Sequence, residues 1–529
     1  MVTWFRVALA AILGSLSLST PSGASTPLPT LTVAIPGQFT GCDALHPLLS
    51  PSDQALLDLT RPSAFLTSVQ GNLRGEGGAI VSAELSSLDP QIVTYTLDTS
   101  LHWTNGRHFG ASDLITWWHE AVRSRTVAAV GYRDITSLSP SANGAVVSAT
   151  FRTPFAAWPL LFRDIEQGLP PGANCSLHAL LAQPSLGPYR LVSLTATRAV
   201  LRSNPVWTAS YNRLPAITLT TSTALPPAHA LFASYYPELS TSLVASVSQR
   251  PSLASHIGAT DVIEELQYAM HRPLTRSAAL RRAWSHVIDK AALLRSLYGA
   301  ITFTPLVATS RLFAQNEFGA PVQGETTHAS APCLPCAVGM LQHAGLERLR
   351  GRWRLQGRNA GITVARGPSA ADRQTSAVVA AQWRRFGLDV RIVRAGSEAA
   401  ASAMAAEGRV DVAVISRPVG ANPWVASTGA LGIWSPESFS LGSSLPAVQQ
   451  AVQVALADFN PVTASAKWQI VDDALAASGA IEPLFTPPSL TAWSTNVTNL
   501  APSLSLLGFI DQVANWGTTH SFERVGNSR

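Results

Sequence analysis

The run Tyr95-Thr-Leu-Asp-Thr-Ser-Leu-His-Trp-Thr-Asn-Gly-Arg-His-Phe-Gly-Ala-Ser-Asp-Leu-Ile-Thr-Trp-Trp118 packs a strand, a tight turn and a helix start into one short segment. Gln91 to Leu97, which runs into it, is rich in β-branched and aromatic residues that suit a pleated, half-buried surface. Asn105-Gly106 accepts positive φ at low cost and marks the turn. Ser112 can accept hydrogen bonds from the free N–H groups of a helix start. Leu114, Trp117, Trp118, Ala121 and Val122 then fall on one helical face. The two tryptophans read as core contacts of a small subdomain rather than as a ligand platform.

Upstream, Leu31 to Ile35 reads as a short strand ended by Pro36-Gly37, and Phe39 to Pro47 as a loop carrying Cys42. Downstream, Ile135–Leu138 and Val146–Phe151 flank Asn143-Gly144 as a hairpin. A further strand pair follows Gly187-Pro188-Tyr189, with Ala199 to Arg202 as its partner. Ile263 to Met270 reads as a strand. Leu280, Ala283, Trp284, Val287, Ile288, Ala291 and Leu294 recur at helical spacing, which predicts one helix ended by Gly299. Ala377 to Phe386 reads as a helix stopped by Gly387. Leu388, Val390 and Ile392 then alternate as a strand, and Val410–Ile415 forms another. Helices alternating with strands point to an α/β lobe.

At 529 residues the chain exceeds one core, so two or three lobes are expected. With 46% hydrophobic and 13% charged residues it belongs with globular chains, not disordered ones. The net charge of +5 is carried almost wholly by arginine, without a basic block or stripe, which argues against a nucleic-acid partner. Arg6, the apolar run Val7 to Leu18 and Ser22-Gly23-Ala24 read as an export signal, cleaved or kept as an N-terminal anchor. The run is short for a membrane span.

Four cysteines in an exported chain imply disulfides, with Cys42–Cys175 and Cys333–Cys336 as the expected pairs. The second pair could instead hold a metal with His328 and His343, but those spacings match no standard zinc site. The run Pro332–Cys336 is read as a loop. His119-Glu120 lacks the second histidine of a zinc protease, and neither a nucleophile elbow nor a phosphate-cradling loop occurs. A non-enzyme without metal or cofactor is expected.

Four segments, in order, resemble landmarks of the family 5 solute-binding proteins, the extracytoplasmic receptors of peptide-type ABC transporters. They are Tyr95 to Trp118; Gly187-Pro188-Tyr189 with Arg202-Ser203-Asn204-Pro205-Val206-Trp207; Pro273-Leu274 with Leu280 to Lys290; and Ala337 to Gly345. Ile481-Glu482-Pro483-Leu484-Phe485 is similar to the family's last return strand. Within the family, Pro62-Ser63-Ala64-Phe65, Gly131 to Ser137, Ala157 to Ile165 and Gln512 to Trp516 are similar to the actinobacterial LpqW-like members. Those members are associated with phosphatidylinositol mannoside and lipoarabinomannan assembly.

The resemblance implies an α/β, two-lobed periplasmic-binding-protein-like fold (type II, cluster C) with an extra small subdomain in the first lobe. Its expected divisions are a signal peptide at 1–24, lobe I at 25–59 and 178–262, the small subdomain at 60–177, lobe II at 263–483, and a lobe I return with a tail at 484–529. It implies a monomer that closes on a peptide or a glycolipid-type ligand, with an ABC permease as a possible partner. The cleavage region has no lipid-anchor cysteine, so the expected location is the cell envelope, secreted or loosely membrane-associated. Candidate ligand-binding residues, each at or after a strand end, are Phe39, Tyr268, Arg417, Asn422 and Trp424. Peptide-binding relatives often anchor the ligand amine on an aspartate that should fall in Arg417 to Trp424. That stretch holds no acid, so either the ligand lacks an amine there or another acid serves.

Overall fold

Seven strands form the first lobe's sheet, in the order Leu253–Ala259, Pro488–Ser494, Phe232–Tyr236, Thr30–Ala34, Ala216–Thr220, Arg198–Ser203 and Tyr189–Thr195. This is a computed structural model. It describes residues 30–519 apart from 47–48, 71, 125–130, 168–174, 208–213, 223, 226, 228–229, 302, 304–306, 314–330 and 420–444. The expected signal segment, His328, Asn422 and Trp424 lie outside the described residues. Thr30–Ala34 runs parallel to both of its neighbours and the remaining pairs are antiparallel. Leu31, Val33, Leu201, Ile217, Phe509 and Trp516 are buried in this lobe's core. Helix Pro51–Thr60 packs there, with Pro51 in its first turn and Ser50 accepting from the Asp53 N–H.

The second lobe holds five strands in the order Asp389–Arg394, Gly361–Arg366, Val412–Pro418, Val262–Tyr268 and Ile481–Phe485. Helix Ala370–Phe386 lies against them. Ser369 and Asp372 close a capping box at its start, and Gly387 ends it at φ 105°, a conformation costly for any other residue. Val379, Ala380, Trp383 and Phe386 bury its inner face.

Two sequence expectations need correcting here. The helix expected across Leu280–Leu294 is two helices, Ala278–Ser285 and Lys290–Tyr298. Asp289 starts the second by accepting from the Ala292 N–H, and Gln382 bonds the Asp289 backbone on both sides. A capping residue between two apolar stretches therefore overrides their shared periodicity. The run around Cys333 is not a loop throughout, because helix Leu334–His343 begins there with Cys333 as its cap. Cys42–Cys175 and Cys333–Cys336 are both bonded.

The small subdomain is a four-stranded antiparallel sheet, Ile80–Leu88, Gln91–Leu97, Val146–Phe151 and Ile135–Pro140, covered by helix Ala111–Arg123. The helix is capped at Gly110, whose N–H is taken by Asp113; Ser112 lies inside it. Trp117 is buried and donates to the Tyr132 hydroxyl, while Trp118 donates to the Tyr132 carbonyl. Both tryptophans hold the subdomain together.

Charge fastens the subdomain to the first lobe. Arg163 approaches Asp58 at 3.6 Å and Asp511 at 3.8 Å, and Arg61 approaches Glu166 at 3.6 Å. Asp511 accepts from the Thr67 N–H, and Glu76 from the Ser63 N–H. Burial pushes Glu76 up to about 8 and Glu166 up to about 7. Acids outnumber cations here, so Arg163 matters more than an ordinary surface partner. Replacing it by methionine strands Asp58 and Asp511 in a dry junction. Arg163→Met is expected to lower the unfolding free energy by about 3–5 kcal/mol in denaturant titration. A change below about 1 kcal/mol, the surface-pair scale, would contradict the assignment.

Candidate ligand cleft

The chain crosses between the lobes at two adjacent points. Strand Leu253–Ala259 of lobe I leads through Thr260-Asp261 into strand Val262–Tyr268 of lobe II. Strand Ile481–Phe485 returns through Thr486-Pro487 into Pro488–Ser494. The crossings are tied to each other, because both the N–H and the hydroxyl of Thr260 donate to the Pro487 carbonyl, at 3.3 and 2.8 Å. Two short linked segments between rigid sheets are the ordinary anatomy of a hinge.

Beside this hinge lies a cleft of about 790 Å³. Lobe I contributes Tyr236, Glu238, Leu239, Leu243 and Arg250, and lobe II contributes Tyr298, Ser369, Ala370, Gln374 and Ser416. That size suits a small molecule or a short peptide. The Glu238 carboxyl crosses the gap to the Ala370 N–H at the start of helix Ala370–Phe386; partial burial, with Asp372 close by, raises it from its ordinary value.

Beneath Ser416, one layer behind the cleft lining, three carboxyls converge. The Ser416 hydroxyl donates to Glu264 at 2.6 Å and lies 3.5 Å from Asp372, while its N–H donates to Glu398. The strand register puts Glu264 opposite Ser416, and the capping role of Asp372 holds it at the same spot. Gly367 makes the convergence possible, since a Cβ there would sit 2.3–2.5 Å from oxygens of Glu398 and Asp372. Glu264 and Asp372 are fully buried, and Glu398 is half-buried. Burial, followed by the Asp372 charge, pushes Glu264 up to about 8. Burial, then a hydrogen bond with Asp372, pushes Glu398 up to about 10. Among the described residues no arginine or lysine forms an ion pair with any of these three.

The profile of bacterial extracellular solute-binding proteins, family 5 (middle region), matches residues 79–436. The chain belongs to that family. Among curated relatives, the oligopeptide-binding protein OppA of Mycobacterium tuberculosis is 28% identical over 176 residues, 31% of this chain and 30% of that one. A probable monoacyl phosphatidylinositol tetramannoside-binding protein, LpqW, of the same species is 32% identical over 124 residues, 22% of this chain and 20% of that one. The matched stretch thus spans less than a third of either relative. Among solved structures, the periplasmic EDTA-binding protein EppA superposes with a TM-score of 0.82 at 19% identity, over 93% of this chain and 98% of that one. The fold is therefore the two-lobed one of periplasmic binding proteins. No helix among the described residues is long and apolar enough to cross a membrane.

In this family 5 protein the residues singled out from the sequence are spread through both lobes. Phe39 is buried in the lobe I core. Tyr268 is fully buried in the lobe II core, with its hydroxyl 3.1 Å from that of Ser285. Arg417 is buried and donates to both oxygens of Glu265, at 2.9 and 2.8 Å, and to the Arg311 carbonyl. Its neighbour Ser416 points the other way, into the cleft, because successive strand residues face opposite sides. Of these two neighbours at one strand end, Ser416 lines the cleft and Arg417 faces the lobe II interior. Glu264, Asp372 and Glu398 were missed altogether. Glu264 and Asp372 are visible in sequence only as one strand residue and one helix cap, and nothing local shows that they meet.

The raised carboxyls set the sign of a pH effect. Each binds a proton more readily in the folded chain than at its ordinary value near 4, so its contribution is complete at low pH and is lost as pH rises. For Glu264 the window runs from about pH 4.5 to about 8. The melting temperature is expected to fall between about pH 5 and pH 8, and Glu264→Gln, which still accepts from Ser416, is expected to flatten that slope. Calorimetry of both proteins across the range checks this; parallel slopes would contradict it.

Proposed function

We propose that this chain is the extracytoplasmic capture protein of an ABC-type transport system, closing its two lobes on a peptide or related solute that carries a cationic group. The observation that carries this reading is the acidic cleft floor. Glu264, Asp372 and Glu398 lie together without a cationic partner among the described residues, and Glu238 adds a fourth carboxyl from the opposite lobe. Their field in a low-dielectric recess favours an incoming positive charge. A ligand ammonium over Ser416 displaces the protons that burial favours on Glu264 and Glu398, so that their charge develops as the ligand docks. This is the acid absent from Arg417–Trp424, moved to the facing strand and the neighbouring helix. Asn422 and Trp424, a few residues beyond Ser416 in the chain, are proposed as further ligand contacts.

Family membership and the local likeness to an oligopeptide-binding protein support the same class of ligand. We assign export to the segment Arg6 to Ala24, and the permease partner by the same kinship. The local likeness to LpqW favours a second reading, a service in envelope glycolipid assembly without transport.

Titration calorimetry with short peptides, free or acetylated at the amine, separates these readings. Free peptides are expected to bind, and acetylation or Glu238→Gln is expected to weaken binding by roughly tenfold or more, the scale of a hydrogen bond to a charged group. Equal affinity for both peptide forms would sink the cation assignment. Binding of phosphatidylinositol mannosides, with none of peptides, would favour the second reading.

A further inference from the structure

The hairpin Leu101–Phe109 of the small subdomain carries a feature that ligand capture does not use. Leu101, Trp103 and Phe109 are buried, so the alternating positions His102 and His108 face outward. The two histidines are direct cross-strand partners. The flanking bonds, Trp103 N–H to the Arg107 carbonyl at 2.8 Å and Phe109 N–H to the Leu101 carbonyl at 3.0 Å, make them a non-hydrogen-bonded pair. That is the position where opposed side chains come closest. Their ring centroids are 3.9 Å apart and their Nε2 atoms face each other at 3.2 Å. No other described residue is seen to hydrogen-bond either imidazole.

We infer that His102 and His108 form a chelating site for a divalent late first-row transition ion, Zn²⁺ or Cu²⁺. Metal–imidazole bonds of about 2.0–2.1 Å place two nitrogens on one ion about 2.9 to 3.4 Å apart, for angles between square and tetrahedral. The observed separation lies inside that window. Two neutral imidazoles without a thiolate or carboxylate suit zinc and copper rather than magnesium or calcium. The platform is held in advance: Trp103 and Phe109 anchor it in the subdomain core, Arg107 pairs with Asp113 at the helix start, and the Gly106 N–H closes the turn on the Trp103 carbonyl. The backbone pairing is thus set in advance, and chelation costs the outward turn of two rings whose centroids now lie 3.9 Å apart. Water completes the coordination, so the ion stays exchangeable.

Zn²⁺ titration of the untagged chain by calorimetry tests the site, with Cu²⁺ electron paramagnetic resonance as the second readout. One ion is expected to bind ahead of any others, with two imidazole nitrogens in the copper spectrum. His102→Asn and His108→Asn are each expected to weaken it at least about tenfold, the scale on which metal sites respond even to loss of an outer-shell partner. His343→Asn, on an exposed helix end elsewhere, is the control and should leave it unchanged. Melting temperatures without metal should match the parent, which shows the variants folded. Unchanged affinity in either hairpin variant, or a one-nitrogen copper spectrum in the parent, overturns the assignment.

Discussion

The hydrogen bonds from Thr260 to the Pro487 carbonyl join the only two segments, among the described residues, through which the backbone passes between the sheets. The first lobe's sheet cannot be completed until the chain returns, because Pro488–Ser494 lies between Leu253–Ala259 and Phe232–Tyr236. The second lobe is thus an insertion whose entry and exit are pinned side by side. That pinning gives the lobes a common pivot, and it fixes where their facing surfaces meet. Asp261, in the same crossing, accepts from the Val419 N–H through its carbonyl. The crossing is therefore also tied to the strand end beside Ser416.

Buried carboxyls occur in two places with different chemistry. At the subdomain junction Arg61 and Arg163 sit among the acids, and loss of either cation leaves charge without compensation. At the cleft floor no arginine or lysine among the described residues pairs with the acids; burial raises Glu264 and Glu398 there, as it raises Glu76 and Glu166 at the junction. The first arrangement holds two parts of one lobe together. The second is costly for the fold and makes sense where something positive arrives from outside. Strain of this kind concentrates at functional sites, though structural clusters show it too.

Much of the fold could be read along the chain. Strand Gln91–Leu97, the hairpin about Asn143-Gly144 and the stop at Gly387 follow from alternation, turn chemistry and a left-handed cap, all of them local. The break at Asp289 was hidden because the apolar spacing continues across it. Arg281 is buried against the carbonyls of Thr275 and Ser478, which no local pattern shows. Asp289 and Lys290 do not pair with each other: Lys290 reaches Glu482 at 2.6 Å, far along the chain. The cleft was legible only as a strand end. Its acids come from a strand, a helix cap and a second helix start, and only the tertiary fold brings them together.

Native mass spectrometry of the chain purified from its own host tests the central claim most directly. Capture between the lobes over an acidic floor predicts a co-purified peptide or similar solute bearing a positive group, released when Glu238 is replaced by glutamine. A mannosylated lipid as the bound species would contradict it.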